Sequence, residues 1–150
     1  MAMIHLPPDF KELLKLLNSK KIEYLLVGGY AVALYGYPRA TGDIDIWVAV
    51  SKDNARKIVA ALKEFGFDVP QLEEKLFLEK EKNIRMGRPP LRIEILTSID
   101  GVDFDECYKD KKVVTIDGLK INFISLADLK KNKKASARLQ DLADLENLEK

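Results

Sequence analysis

The sequence predicts an α/β (α+β) fold, a mixed β-sheet flanked by helices in a single domain, and three observations carry that expectation. Two short runs, DIDIWVAV over 43–50 and LRIEIL over 91–96, alternate apolar and polar residues with the period of a half-buried strand. Two longer segments, Pro8 to Ser19 and Lys52 to Phe65, repeat apolar residues at helical spacing. Ahead of the first run, Ile22 to Val27 is rich in β-formers and leads straight into Gly28-Gly29, the bend of a strand–turn–helix unit.

The first helix carries Phe10, Leu13, Leu14, Leu16 and Leu17 on its apolar positions, with prolines ahead of it as a start signal. After Gly28-Gly29 the run YAVALYGY reads as a short helix ending near Gly36 and Pro38. In the strand Asp43 to Val50, Ile44, Ile46, Val48 and Val50 share one face, and Asp43, Asp45 and Trp47 share the other. The helix from Lys52 to Phe65 has Ser51 as N-cap and Gly66 just past its end. Between Phe67 and Pro90, Leu72 to Phe77 has helical character, Leu78 to Met86 can hold a strand, and GRPP is a turn or loop. In the strand Leu91 to Leu96, Ile93 and Ile95 lie opposite Arg92 and Glu94.

Asp117-Gly118 between Val113–Ile116 and Leu119–Ile124 predicts a hairpin with a type I′ turn. Ser125 caps a helix beginning SLADLKKN, with Asp128 at the capping-box position. A last helix spans Ala135 to Leu148, with Leu139, Leu142, Leu145 and Leu148 among its apolar members. The whole of 1–150 reads as one domain, with the C-terminal helices of 125–149 packed on its core.

Composition narrows the function classes. A chain of 150 residues, 47% hydrophobic and 33% charged, suits a soluble globular protein. No apolar run reaches the roughly 20 residues a spanning helix needs, and MAMIHLPPDF lacks the features of a signal peptide, so a cytoplasmic location without membrane contact is expected. Cys107 and His5 are each the only residue of their type, which excludes an internal disulfide and a Cys/His zinc site. Any metal must be held by oxygen. Cys107 reads as a buried or half-buried apolar filler and His5 as a surface residue. A net charge of +1 gives no field for coating nucleic acid.

The chemistry concentrates around the glycine pair and the acids. Gly28 and Gly29 permit close approach of backbone N–H groups to a phosphate, although a tight turn without ligand uses the same residues. Asp43 and Asp45, two carboxylates on one face of a strand, repel one another unless a cation lies between them or the face is wet. Mg²⁺ or Mn²⁺ fits such hard oxygen ligands. Trp47 on the same face packs beneath the site or stacks on a base. Glu94 is placed similarly in its own strand and supplies a third ligand if that strand neighbours the one bearing Asp43. Three carboxylates around a triphosphate are the requirement for metal-assisted nucleotidyl displacement without a histidine base or a cysteine nucleophile. Arg39 and Thr41, in RATGDID, are placed to meet a phosphate, with neutralisation of the acidic site the alternative for Arg39.

The run VGGYAVALYGYPRATGDIDIWV, followed by RIEIL, resembles the polymerase-beta-type nucleotidyltransferase superfamily, whose pattern is a Gly-Gly or Gly-Ser turn, an acid-x-acid pair and a third acid on a later strand. MGRPPLRIEILTSIDGVDFDE and SLADLKKNKKASARLQDLADLENL resemble, more narrowly, small bacterial and archaeal nucleotidyltransferase-like proteins related to abortive-infection toxins. The resemblance implies that Gly28 and Gly29 contact the triphosphate of an NTP, that Asp43 and Asp45 bind both metals, and that Glu94 assists the incoming hydroxyl. The third acid is often Asp in this superfamily and is Glu here. Most of Lys130, Lys131, Lys133, Lys134 and Arg138 read as a solvated helix face. The resemblance brings Lys133, Lys134 and Arg138 towards the cleft as nucleotide or RNA contacts. The implied activity moves a nucleoside monophosphate onto a hydroxyl of RNA such as tRNA, a protein or a small molecule. The alternative is a non-catalytic nucleotide- or partner-binding module of toxin–antitoxin type. A homodimer or a partner chain is the expected source of acceptor recognition.

Overall fold

The computed structural model describes residues 4–37, 42–88 and 91–150, so Arg39 and Thr41 lie outside the described residues. Helix α1 (Pro8–Ser19) buries Phe10, Leu13, Leu14 and Leu17, the stripe its apolar spacing dictates. Strand β1 (Tyr24–Val27) follows, buried along its whole length, and runs directly into α2 (Gly28–Leu34). Strand β2 (Asp43–Val48) leads to α3 (Lys52–Phe65), which the Ser51 side chain caps by accepting from the Asn54 N–H. Asn54 is itself buried, and its amide bonds Glu23 N and O and Ala49 O, so the start of α3 is fastened to the ends of β1 and β2.

A single 3-10 turn, Glu74–Phe77, precedes β3 (Asn83–Arg88), which pairs with β4 (Leu91–Leu96). Helix α4 (Phe104–Lys109) then stands where the sequence analysis placed no element. Its six residues are too few for periodicity to register, although Asp103 accepts from the Glu106 N–H as an N-cap should. Strands β5 (Lys112–Ile116) and β6 (Leu119–Phe123) form the expected hairpin. Asp117 and Gly118 have φ of 52° and 79°, the two positive values of a type I′ turn.

Helix α5 (Leu126–Ser136) runs further than SLADLKKN, and α6 (Leu139–Leu148) starts later than Ala135. Ala137, with φ 51° and ψ 25°, breaks the two apart. Helix α6 also turns a different face inward from the one its leucines suggest. Asp141, Asp144 and Leu148 are buried at spacings of three and four, whereas Leu139 is 89% exposed and Leu142 45%. The cause is Lys133 of α5, which both aspartates meet.

The six strands form one mixed sheet in the order β3-β4-β2-β1-β6-β5. The pairs β2·β4 and β1·β6 are parallel, while β1·β2, β3·β4 and β5·β6 are antiparallel. Ile44 and Ile46 are buried on one side of β2, and Leu129 of α5 and Leu148 of α6 belong to the same apolar core. On the opposite side of β2, Trp47 meets Phe104 of α4 edge to face at 5.1 Å. Among the described residues, no helix is long and apolar enough to cross a membrane.

Candidate active site

Parallel pairing of β2 and β4 places residues in register on one face, and the register is Asp43 with Arg92, Asp45 with Glu94 and Trp47 with Leu96. The strand carrying Glu94 is therefore the neighbour of the strand carrying the two aspartates. Asp45 and Glu94 lie side by side with a hydrogen bond between their carboxyl groups. Burial, then the charges of Glu94 and Asp43, push the Asp45 carboxyl up from its ordinary 3.8 to about 7, while Lys133 pulls the other way.

Gly28 closes the top of this pair. It has φ +66°, and a Cβ on it would collide with Oδ2 of Asp45. Glycine is thus required at 28 both by the bend and by the approach of the carboxylate. Gly29 is buried within α2.

A cavity of about 400 Å³ opens over the acids, lined by Gly28, Asp45, Glu94, Arg85, Lys133 and Arg138 among others. Lys133 is 5% exposed, and its Nζ lies 3.1 Å from Asp141 Oδ1 and 3.1 Å from Asp144 Oδ2. Burial raises the Asp141 carboxyl, but hydrogen bonds from Arg138, Ser136 and Lys133 outweigh it and hold the group down at about 2. Arg138 is largely exposed and reaches Asp141 Oδ2 with its Nε at 2.7 Å. Lys134 is exposed and does not line the cavity.

Asp43 stands one strand step away, where Arg92 donates from Nε at 3.3 Å and approaches with Nη2 at 3.2 Å. Glu94 faces Arg85 across β3·β4, with Nε 3.7 Å from Oε2. Trp47 is buried in its contact with Phe104, which is the packing role of the two weighed for it. Cys107 is buried as well, and desolvation pushes its thiol up to about 12, far from a nucleophile's range.

The fit of a divalent cation can be judged from these contacts. Among the described residues, no three acid, histidine or cysteine side chains are gathered ready to hold a metal. Two of the three acids instead carry a guanidinium, Arg92 on Asp43 and Arg85 on Glu94, and the third is driven towards its protonated form. The acids thus satisfy with arginines and a proton the demand that a hard cation would meet, and their oxygen donors suit Mg²⁺ or Mn²⁺.

Of the residues singled out from the sequence, the structure brings together Gly28, Asp45, Glu94, Lys133 and Arg138, with Asp43 adjoining on β2. It adds Arg85, Arg92, Asp141 and Asp144. Arg92 was legible as the residue two before Glu94 on the same strand face. Arg85 needed the β3·β4 register, and the two aspartates needed the packing of α6 on α5.

The same fold occurs in solved structures. A protein from Thermotoga maritima with a provisional nucleotidyltransferase assignment is 22% identical, with a TM-score of 0.59 over 99% of this chain and 94% of that one. An antigenic nucleotidyltransferase-like protein from Paracoccidioides brasiliensis is 21% identical, with a TM-score of 0.57 over 92% of this chain and 72% of that one. At such identities the likeness is one of fold. Among curated proteins none matches the sequence. A family model described as aminoglycoside-2''-adenylyltransferase matches residues 9–148, nearly the full described length, and the chain therefore belongs to that nucleotidyltransferase family.

Proposed function

We propose that this chain is a metal-dependent nucleotidyltransferase that moves a nucleoside monophosphate from an NTP to a hydroxyl acceptor, with ATP as donor and an amine-bearing sugar as the first acceptor class. The observation that carries the reading is the register pair Asp45 and Glu94, two carboxyls side by side on the wall of a cavity that Gly28 also lines. The family description supports the choice of donor and acceptor.

Asp43, Asp45 and Glu94 are the residues that would hold Mg²⁺ or Mn²⁺. A divalent cation there supplies charge neutralisation of the triphosphate and acidification of the attacking hydroxyl. Gly28 and Gly29 are assigned to the triphosphate, Gly28 from the cavity wall and Gly29 as the buried start of α2 behind it. Lys133, fixed between Asp141 and Asp144, presents a positioned positive charge to the cavity, and Arg138 adds an exposed one at its rim. Arg39 and Thr41 precede the acids and are assigned to the phosphates, and Lys134 to a peripheral contact. The acceptor oxygen bonds to the α-phosphorus, the bond to the β-phosphate bridging oxygen breaks, and pyrophosphate leaves. Glu94 accepts the proton that the acceptor hydroxyl gives up.

The test is transfer from α-labelled ATP to aminoglycosides and, in parallel, to a tRNA pool, comparing the parent with the double variant Asp43→Asn, Asp45→Asn. Label should enter an acceptor with the parent alone. Equal labelling by both proteins rejects the reading. A non-catalytic nucleotide- or partner-binding module, of the toxin–antitoxin kind that the narrower resemblance implies, is favoured by the arginines seated on Asp43 and Glu94. Calorimetry separates the two, since tight nucleotide binding without turnover on any acceptor selects the module.

A further inference from the structure

The cations around the cavity differ in what holds them. Lys133 is locked between two buried aspartates, and Arg138 is hydrogen-bonded to Asp141. Arg85 is held by Glu94, an acid that the reading above gives to the cation. Its grip is weak: the 3.7 Å separation exceeds a hydrogen bond, and the Arg85 side chain is 60% exposed while that of Glu94 is 15% exposed. Arg85 projects from β3, an edge strand of the sheet, and among the described residues no further strand pairs beyond it.

We propose that Arg85 is a phosphate-exchange residue: it neutralises Glu94 in the free protein and passes to the outer phosphates of the nucleotide when a cation takes over that carboxylate. The inference rests on the function proposed above. Cation binding at Glu94 removes the attraction that keeps Arg85 in place and releases a long side chain at the cavity wall, where the phosphates enter. A guanidinium offers a planar fork of donors that pairs two phosphate oxygens at once, which an ammonium cannot do. Exchange of this kind couples the two ligands, because each one competes for or uses what the other frees.

The experiment measures two affinities for the parent, Arg85→Ala, Arg85→Lys and Asp45→Asn: Mn²⁺ alone by electron paramagnetic resonance, and Mn²⁺ with an α,β-non-hydrolysable ATP analogue by calorimetry. Arg85→Ala should bind Mn²⁺ alone about threefold more tightly, since an exposed pair of this type is weak. The same variant should bind the analogue about tenfold more weakly, the loss of one charge-assisted phosphate contact. Arg85→Lys should fall between the two in both. A merely structural role would move both affinities in the same direction, so parallel weakening overturns the proposal, as does an unchanged analogue affinity. If the parent binds neither Mn²⁺ nor the analogue, or Asp45→Asn binds Mn²⁺ as well as the parent does, the nucleotidyltransferase reading falls and the exchange with it. If the parent binds both and only Arg85→Ala fails to change them, the exchange alone is rejected.

Discussion

The carboxylate of Asp45 occupies the volume that a Cβ on residue 28 would need, and Gly28, which has no Cβ, also holds a φ of +66°. Two independent costs therefore attach to Gly28→Ala, the positive φ and the collision. The first is about 1–2 kcal/mol for an L-residue in the left-handed region, and the collision adds roughly as much again if the carboxylate must shift. In an Asp45→Ala background the carboxylate clash is gone, and the backbone cost remains with a 3.1 Å contact to the Cβ of residue 45. Urea unfolding of the four proteins in this cycle should give a coupling of at least about 1 kcal/mol between the two sites. Additive losses would show that the contact does not limit residue 28.

Asp45 also predicts how stability depends on pH. Its carboxyl titrates near 7 in the fold against an ordinary 3.8, so the folded protein keeps a proton that the unfolded chain has released in between. Stability from this group is fully present below the ordinary value and is lost as pH rises through about 7. At about 1.4 kcal/mol per pH unit, and with solvent from the cavity screening the full value, the loss is on the order of 2 kcal/mol. Asp45→Asn should therefore unfold at a higher temperature than the parent at pH 8, and the two should converge towards pH 4. Mg²⁺ at pH 8 should raise the melting temperature of the parent and leave the variant where it was. A variant that melts below the parent at pH 8 without metal contradicts the strained carboxyl pair.

Much of this arrangement was legible because it is local. Alternation within DIDIWVAV and LRIEIL put Asp43, Asp45 and Glu94 on strand faces, and Ser51 with Gly66 bounded α3 at both ends. What the sequence leaves open is which strands are neighbours. The convergence of Asp45 and Glu94 depends on the parallel register of β2 and β4, a contact between residues 49 positions apart. The hydrophobic pattern misleads in α6, where leucines at 139 and 142 stay in solvent and aspartates at 141 and 144 go inside. The buried cation that both aspartates meet is Lys133, which lies on α5 and outside the pattern of α6. Helix α4 escaped notice because two turns are too short for a period to declare itself.

Lys133, Asp141 and Asp144 form a buried group that carries one negative charge in excess, which Arg138 offsets from the surface through Asp141. Removing the cation takes the buried ion-pair partner from two carboxylates, leaving Asp141 to Arg138 and Ser136 and Asp144 to Gln140, so Lys133→Met should destabilise the fold by about 3 kcal/mol. Adding Asp144→Asn should restore part of that loss, which chemical denaturation of the single and double variants measures. The same group dictates behaviour in acid. Asp141 is held near 2 against its ordinary 3.8, so its contribution is present above 3.8 and disappears as pH falls through about 2. The parent should therefore lose stability more steeply between pH 4 and pH 2 than Lys133→Met does. Parallel curves would mean that Arg138 and Ser136 alone hold Asp141 down.

Arg138 and Lys134 separate a cavity contact from a solvated charge. Both belong to the cationic stretch, yet Arg138 lines the cavity and Lys134 is exposed away from it. Lys134→Ala should leave the KM for nucleotide within about twofold, since an exposed charge outside the site is largely screened. Arg138→Ala should raise that KM about tenfold with kcat little changed, the sign of a contact made equally in the ground and transition states. Its effect on unfolding should stay small, because its side chain is mostly in solvent and Asp141 retains Lys133 and Ser136. The difference should shrink as salt is raised, for a rim charge acts partly through the field it adds at the cavity mouth. A kcat loss equal to the KM effect would instead place Arg138 at the transferred phosphate, and an equal effect at Lys134 would mean that general surface charge, rather than position, attracts the nucleotide.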